Sequence, residues 1–335
     1  MYVIQKTDVV NILKEYNIFN EILELDLERY YTSQDFVCMV IKAICDNNDY
    51  IIKIMTDNEI EVLDGNKQLN FAEDLRKKGL PIPCNYKSIY GKYILQYQIN
   101  DENFLIQVED YFGKDVEKVD IALVQFLGDF LGKMHRLSIE EKYYVGNGSA
   151  YRAIINGEVK FNKICEKKFL NQLDARLVQK VIREHNRYYK EIQNIWTKLP
   201  KTAVHADLGL ISNIVHNKLG FGVIDFNLAG DECVLGDLLI TWYSSRYSML
   251  IAGTMEIEQI KKIRKEFFDA YFKNRKLQEY ENINIKKIAC FLNGIYYAKY
   301  LNQLYKNGYE AEAICFSNYL VENYNKIDFG LDMRV

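Results

Sequence analysis

The spacing of apolar residues changes near Gly113, and this change constrains the fold more than any other feature of the chain. Before it, β-branched and aromatic residues come in short runs between polar clusters, which is typical of strands and tight turns. After it, apolar residues recur every three or four positions, as in Val119 and Leu123, which indicates amphipathic helices. The sequence therefore predicts an α+β fold with two lobes. A small β-rich lobe spans residues 1–110 and a larger helical lobe spans residues 111–335.

Five strands and one helix are predicted in the first lobe, in the order β-β-β-α-β-β. The strands are predicted at residues 22–30, 36–44, 50–55, 92–99 and 104–109. The turn Asp64-Gly65-Asn66 is predicted to open the helix, from about Lys67 to Lys78, and Gly79 with two prolines ends it. In the second lobe, one or two amphipathic helices are predicted across residues 163–198.

Length and composition fit a globular protein with a sizeable core. The chain has 335 residues, of which 49% are hydrophobic and 27% are charged. Its 43 Lys and Arg residues are balanced by 46 Asp and Glu residues, for a formal charge of -3. Binding to a nucleic-acid backbone requires a basic excess, so nucleic acid is not expected as a partner.

The cysteines and the N-terminus indicate a reducing compartment. The seven cysteines are odd in number and scattered, with no Cys-x-x-Cys, which favours reduced thiols over disulfides or a zinc site. The first 17 residues lack the pattern of a signal peptide, and no run of 18 apolar residues occurs. We therefore expect a cytoplasmic protein with no membrane partner.

The residue types best suited to chemistry cluster in two short segments. His205-Ala206-Asp207 is followed by Asn213, and Asp225 comes twelve residues later. Mg²⁺ prefers hard oxygen ligands, which Asn213 and Asp225 would supply, while Asp207 would remain to accept a proton. The alternative is that Asp207 and Asn213 are turn residues and that His205 belongs to the core.

These segments resemble the aminoglycoside phosphotransferase and choline kinase family, which has a protein-kinase-like fold and includes homoserine kinases and spore-coat proteins. The family's H-G-D, Asn and I-D-F motifs are similar to His205-Ala206-Asp207, Asn213 and Ile224-Asp225-Phe226. Its later G-D and D-L pairs resemble Gly230-Asp231 and Gly236-Asp237-Leu238. The helix segment from Leu127 to His135 also resembles a family helix that ends in His.

The resemblance implies a role for each matching residue. Asp207 would be the catalytic base, and His205 would orient its loop. Asn213 and Asp225 would bind Mg²⁺, and Lys53 would hold the α- and β-phosphates of ATP or GTP. The alternative for Lys53 is an ordinary strand lysine with its amine in solvent.

Further nucleotide contacts are expected in the first lobe. The turn that contains Ser33 would cover the phosphates, although it lacks the usual glycines, and a plain hairpin turn is the alternative. Glu109 and Tyr111 lie in a segment similar to the family's inter-lobe connection, whose main chain meets the base. Gln68 occupies the predicted position of the helix glutamate that pairs with the lysine, and Glu61 is the alternative partner.

Two departures from the family pattern concern the catalytic segment. Ala206 stands where the family has Gly, and Ala is disfavoured only where φ is positive. The spacing from Asp207 to Asn213 is six residues where the family has five, so the loop must bulge or tighten.

The resemblance implies an Mg²⁺-dependent kinase that phosphorylates a hydroxyl of an aminoglycoside-, choline- or homoserine-like molecule. The acceptor would lie near carboxylates and aromatic rings, which suit an amino group. The candidates are Asp231, Glu232, Trp242, Tyr243, Tyr247, Tyr296 and Tyr297. For the aromatic residues, helix packing is the alternative. The alternative function is a kinase-like binding or structural protein with weak or no turnover.

Overall fold

The computed structural model describes residues 4–32, 37–56, 62–146, 167–251 and 257–323. The chain divides into two compact units, and each is described by itself. The N-terminal unit comprises residues 1–117, 144–147 and 213–229, and the C-terminal unit comprises residues 118–143, 148–212 and 230–335. The N-terminal unit thus continues past residue 110 and takes in two later segments.

The described residues form ten strands, nine α-helices and one short 3-10 helix. The strands are β1 Ile22–Thr32, β2 Val37–Cys45, β3 Tyr50–Thr56, β4 Ile94–Ile99, β5 Glu102–Asp110, β6 Lys114–Asp115, β7 Lys201–Val204, β8 Ile214–Asn217, β9 Gly220–Val223 and β10 Gly230–Cys233. The helices are α1 Lys6–Glu15, α2 Val62–Lys77, α3 Ile121–Glu140, α4 Lys167–Leu170, α5 Ala175–Trp196, α6 Val234–Ile251, α7 Ile257–Asn274, α8 Glu279–Lys306 and α9 Glu310–Asn323. The 3-10 helix is Phe226–Leu228.

The five strands predicted in the first lobe form one antiparallel sheet in the order β1-β2-β3-β5-β4. The predicted turn between β4 and β5 contains Asn100 and Asp101, which both have positive φ. Asn and Asp tolerate this conformation better than most residues, which explains a tight hairpin at this point. The central strands β3 and β5 are buried along most of their length.

Helix α1 was not predicted from the sequence. Its buried residues Val9, Ile12 and Leu13 follow helical spacing and join the core of the five-stranded sheet. A capping box between Gln5 and Asp8 begins the helix. Short helices need tertiary packing for stability, and here the sheet supplies it.

Helix α2 begins earlier than predicted. It spans Val62–Lys77, so Asp64-Gly65-Asn66 lies inside the helix instead of opening it. The backbone N–H of Tyr93 donates to Asn66 Oδ1 over 2.7 Å. The triplet Asp64-Gly65-Asn66 is typical of a turn in the sequence. In the structure, the Asn66 side chain accepts a tertiary hydrogen bond within the helix.

A second, three-stranded sheet completes the N-terminal unit. Its order is β6-β8-β9, and β8 and β9 form a hairpin with Ile214 opposite Val223. The backbone N–H of Val223 donates to the carbonyl of Pro81 over 2.9 Å. This bond attaches the hairpin to the segment that follows α2.

Helices dominate the C-terminal unit, as predicted. The amphipathic helices predicted across residues 163–198 correspond to α4 and α5, and Asp174 caps α5. Helices α3 and α7 approach closely at Gly128, where a Cβ atom would overlap the carbonyl oxygen of Phe267. Among the helices that the structure describes, none has an apolar stretch long enough to cross a membrane.

A buried polar network connects α3, α6, α7 and α8. His135 lies 2.9 Å from Asp237 through Nε2 and 2.9 Å from the Tyr271 hydroxyl through Nδ1. Arg275 donates to the same hydroxyl and to both carboxylate oxygens of Glu281. The motif residues His135 and Asp237 are thus structural partners within this unit.

Candidate active site

Lys53 lies on the central strand β3 and contacts two carboxylates. Its Nζ atom is 3.4 Å from Glu109 Oε1 and 3.5 Å from Asp225 Oδ1. Only 6% of Lys53 is exposed. Burial alone would lower the pKa of the amine, but Asp225 and Glu109 outweigh that effect and raise the pKa. Lys53 is therefore a buried, charged group, and the alternative of a solvated strand lysine is wrong.

Asp225 and Asn213 lie at the same end of the β8–β9 hairpin. The backbone N–H of Ile224 donates to the Asn213 carbonyl over 3.0 Å. Both residues have left-handed backbones, with φ of 61° at Asn213 and 66° at Asp225. Such conformations cost free energy and cluster at functional sites, where the surrounding structure enforces them.

The oxygen atoms of Asn213 and Asp225 fit a hard divalent cation. The Asp225 side chain is 34% exposed, so its carboxylate remains accessible. Among the described residues, no group of three His, Cys, Asp or Glu side chains is arranged to hold a metal. A site with one carboxylate and one amide suits Mg²⁺, which usually takes its remaining ligands from phosphates and water.

A cleft of about 600 Å³ opens beside Lys53 and Asp225 within the N-terminal unit. Val40, Ile51 and Ile224 provide apolar lining, and eleven of the 21 lining residues are charged, Lys53 and Asp225 among them. The volume falls in the usual range of small-molecule sites, roughly 300–1,000 Å³. A cleft that combines apolar surface with a buried cation is suited to a ligand with a flat base and phosphate groups.

The predicted partner of Lys53 on helix α2 is engaged elsewhere. Gln68 is buried, as the helix-face argument predicted, but its Nε2 atom donates to the Ala229 carbonyl over 2.9 Å. The carboxylate partner comes instead from Glu109 on β5. The other two predicted nucleotide contacts in this region, Glu61 and Ser33, lie outside the described residues.

The main chain of Glu109 and Tyr111 is largely occupied within the unit. Glu109 pairs with Ile51 in the sheet and forms a bridge with Asn85. The backbone N–H of Tyr111 donates to the Asp49 carbonyl over 2.9 Å. An internal hydrogen bond thus uses the N–H of Tyr111, and sheet pairing engages that of Glu109. The contact of their main chain with a nucleotide base stays a prediction.

The side-chain role of Glu109 was missed in the sequence, although strand alternation contains the signal. Lys53 lies opposite Gln107, and residues two apart on a strand share a face. Glu109 therefore projects to the same face as Lys53. The missing information was the register between β3 and β5, which requires the tertiary structure.

In the C-terminal unit, the segment after β7 presents Asp207 to solvent. His205, Ala206 and Leu208 are buried, whereas Asp207 is exposed. Ala206 has φ of 65°, the left-handed conformation in which Ala is disfavoured. The mild effect expected for Ala in place of Gly is thus corrected, because this backbone is strained.

The tightening required by the six-residue spacing occurs at Gly209–Ser212. The backbone N–H of Ser212 donates to Gly209 O over 3.3 Å, and that of Gly209 donates back over 3.4 Å. The backbone N–H of Leu210 donates to Ser245 Oγ on α6 over 2.9 Å. These bonds hold the loop compactly against α6.

The candidate acceptor residues have different surroundings in the C-terminal unit. Trp242 stacks on Phe267, which favours the packing alternative for this residue. The buried Glu232 accepts from Trp196 Nε1 over 2.7 Å, so its carboxylate is already engaged. Asp231 is half-buried on β10, where it pairs with Ala203. The side chain of Tyr297 lies outside the described part of the chain, as does that of Tyr247.

Tyr243 and Tyr296 form a second aromatic group. Their rings stack with centroids 6.4 Å apart. Burial raises the pKa of the Tyr296 hydroxyl, and the charge of Asp207 raises it further. Tyr296 therefore lies within electrostatic reach of Asp207, and its role on the acceptor side stays a prediction.

Solved structures with the same fold are small-molecule kinases. An amicoumacin kinase in complex with AMP-PNP, Ca²⁺ and Ami has a TM-score of 0.62 at 16% identity, covering 97% of this chain and 94% of that one. A microcompartment-associated aminopropanol kinase has a TM-score of 0.61 at 12% identity, covering 96% and 98%. A spectinomycin phosphotransferase in complex with ADP and spectinomycin has a TM-score of 0.55 at 14% identity, covering 98% and 100%. The fold is therefore the α+β kinase-like fold, as predicted.

Sequence comparison identifies the family. Residues 49–280 match the model of the phosphotransferase enzyme family, so the chain belongs to that family. A homoserine kinase from Zymomonas mobilis subsp. mobilis is 27% identical over 172 residues, which are 51% of this chain and 50% of that protein. The match thus spans about half the length of this relative.

Proposed function

We propose that the chain is a kinase that transfers the γ-phosphoryl group of ATP or GTP to a hydroxyl of a small molecule. The observation that carries the proposal is the position of Lys53 beside Asp225 in an apolar-lined cleft. Membership of the phosphotransferase family supports it. Phosphoryl transfer depends on positioning and charge neutralisation, and a buried cation beside an accessible carboxylate suits both.

Each of the chain's own groups has a distinct proposed role. Lys53 binds the α- and β-phosphates, and the apolar lining of the cleft binds the base. Asp207 accepts the proton of the acceptor hydroxyl, for which its exposure is suitable. Buried His205 holds the loop that carries Asp207.

Asn213 and Asp225 would hold Mg²⁺. When bound, this ion would neutralise charge that develops on the transferred phosphoryl group. Both residues have a left-handed backbone, a conformation that the surrounding structure must enforce and that clusters at functional sites.

The acceptor is proposed to be a small hydroxyl compound of the aminoglycoside, choline or homoserine type. The homoserine kinase relative and the small-molecule kinases with the same fold support this class. Fold alone does not define the acceptor, because specificity depends on individual side chains. The test is a nucleotide-consumption assay with Mg²⁺, ATP or GTP, and a panel of such acceptors.

The first prediction separates the roles of two carboxylates. We expect Asp207→Asn to lower kcat by about 10²–10⁴-fold, because that is the usual contribution of a general base. Nucleotide affinity should stay within about twofold of the wild-type value. Asp225→Asn should weaken Mg²⁺-dependent nucleotide binding as well, because it removes a proposed metal ligand. Steady-state kinetics and calorimetry with ADP measure both effects.

Equal turnover by wild type and Asp207→Asn would contradict the assignment of the base. Silence of the wild type on the whole panel, with Mg-nucleotide still bound, would favour the alternative of a kinase-like binding protein. Exposed Asp269 on α7 forms an ion pair with Lys265, and Asp269→Asn is the matched control for removal of a carboxylate.

A further inference from the structure

We propose that Glu109 is the positioning residue for Lys53, so that the lysine is organised by a carboxylate on a neighbouring strand. This inference rests on the proposed function, because it assigns Lys53 to nucleotide binding. It adds a side-chain role on β5 to the site, held in place by Asn85 and Gln107.

The sheet itself brings the two groups together. Strands β3 and β5 are antiparallel neighbours, with Ile51 opposite Glu109 and Lys53 opposite Gln107. The Lys53 amine lies 3.4 Å from the Glu109 carboxylate, and only 4% of Glu109 is exposed. A buried ion pair on adjacent central strands has little freedom to separate.

A buried amide, that of Gln107, contacts the other oxygen of the Glu109 carboxylate, and a second buried amide, that of Asn85, holds Gln107 in place. Gln107 Nε2 donates to Glu109 Oε2 over 3.1 Å and to Asn85 Oδ1 over 3.1 Å. Asn85 is itself anchored, because its backbone N–H donates to Glu73 Oε1 over 2.7 Å. The carboxylate therefore has a defined orientation, which is what a positioning residue needs.

Two buried polar residues of α2 are engaged with other groups. Glu73 is buried and contacts Arg76 and the Asn85 backbone. Gln68 donates to the Ala229 carbonyl, just beyond the 3-10 helix that follows Asp225. Helix α2 thus contacts the chain after Asp225 through a neutral amide, while Lys53 has its charge partner on the sheet.

Glu109 also determines how the Lys53 amine divides its contacts between two carboxylates. In the present arrangement the amine lies between Glu109 and Asp225 at nearly equal distances. Without the Glu109 charge, Lys53 would pair with Asp225 alone. It would then move away from the phosphates and compete with a cation for the Asp225 carboxylate.

The test is Glu109→Gln, which keeps the size of the side chain and an acceptor for Gln107. Calorimetry with ADP, with and without Mg²⁺, should show at least a tenfold loss of affinity. In the kinase assay the KM for nucleotide should rise by a similar factor, whereas the KM for acceptor should stay within twofold. Higher Mg²⁺ should restore part of the affinity, because the ion displaces Lys53 from Asp225.

Two variants serve as comparisons. Glu102→Gln removes an exposed carboxylate at the start of the same strand and should leave both KM values unchanged. Gln68→Ala removes the helix amide, and its effect on nucleotide affinity should be under threefold. A loss for Gln68→Ala as large as that for Glu109→Gln would overturn the proposal, since it would place control of Lys53 on α2.

Unchanged ADP affinity in folded Glu109→Gln would also overturn it. If that variant does not fold, Gln107→Met tests the proposal instead. It removes the amide that orients Glu109 and leaves the Glu109 carboxylate itself in place. A threefold or greater loss of ADP affinity supports the proposal, and wild-type affinity overturns it. These binding measurements need no turnover, so failure of the kinase assay alone would count against the proposed function and not against Glu109.

Discussion

At the scale of single residues, three non-glycine residues of the candidate segments have left-handed backbones. These are Ala206, Asn213 and Asp225, with φ of 65°, 61° and 66°. Asn and Asp adopt this conformation at moderate cost. In Ala the Cβ atom lies too close to the following carbonyl oxygen, so the cost is higher. The strain at Ala206 therefore means that the backbone conformation of the proposed catalytic segment lowers the stability of the chain.

The second prediction concerns this strain. We expect Ala206→Gly to raise the free energy of unfolding by up to about 1 kcal/mol. The left-handed conformation costs a non-glycine residue roughly 1–2 kcal/mol, and the greater unfolded-state entropy of Gly returns roughly 0.5–1 kcal/mol of that. Urea denaturation followed by circular dichroism measures the change.

The matched control is Ala203→Gly, three residues earlier on strand β7. Ala203 is buried in a strand and pairs with Asp231, so Gly should destabilise the protein there. Equal destabilisation by both substitutions would mean that Ala206 carries no backbone strain.

Motifs identified residues that lie close together better than they predicted individual contacts. Lys53 and Asp225 were assigned from motifs alone, and the structure brings them together. Glu109 was expected to act through its backbone, because sequence does not reveal which residue of β5 lies beside Lys53. Motifs record residue types at fixed spacing, whereas a cross-strand contact depends on register.

At the scale of elements, strands were predicted more reliably than the beginnings of helices. The five strands of the first sheet follow from their β-branched runs and the turns between them. Helix α1 and the first turn of α2 were missed, because their stability comes from packing and from Asn66 accepting a backbone hydrogen bond. Propensity reports local preference only, and tertiary contacts overrode it at both places.

The third prediction concerns the contact between helices α3 and α7. A Cβ atom at Gly128 would overlap the Phe267 carbonyl oxygen and lie 3.0 Å from Ala270 Cβ. Gly128→Ala should therefore lower the free energy of unfolding by about 1–3 kcal/mol, although Ala is the better helix former. Chemical denaturation measures the loss.

Arg136→Ala is the comparison for that helix. Arg136 is exposed on α3, so its replacement should change stability by less than about 0.5 kcal/mol. Wild-type stability in Gly128→Ala would show that the two helices can separate without cost.

At the scale of the whole molecule, buried histidines link stability to pH. His185 on α5 stacks on Phe291 with ring centroids 5.4 Å apart. Burial lowers the pKa of His185 from 6.5 to about 4. Burial also lowers the pKa of His135, although Asp237 acts in the opposite direction. Both histidines are therefore neutral in the folded protein over a range in which the unfolded chain is protonated.

The fourth prediction follows from the sign of this difference. The unfolded state binds more protons below pH 6.5, so stability falls as the pH is lowered from there towards 4. The contribution of His185 amounts to about 3 kcal/mol at the lower limit, at about 1.4 kcal/mol per pKa unit. Urea denaturation at pH 7, 5.5 and 4.5 measures the slope.

A His185→Gln variant should show a flatter dependence on pH than the wild type, because Gln does not titrate. Exposed His216 provides the control, and His216→Gln should keep the wild-type slope. A His185→Gln variant with the wild-type slope would exclude His185 as a source of acid sensitivity.

The placement of the Lys53–Glu109 pair on the sheet also has an evolutionary consequence. When a lysine depends on a helix carboxylate, selection for activity limits the substitutions that the helix accepts. Here both partners belong to neighbouring strands. Among the described residues, α2 contributes through Gln68, through the Phe71–Phe226 ring contact and through Glu73, which accepts from the Asn85 backbone. Substitutions in α2 outside these contacts are thus less constrained in descendants of this chain, whereas β3 and β5 must change together.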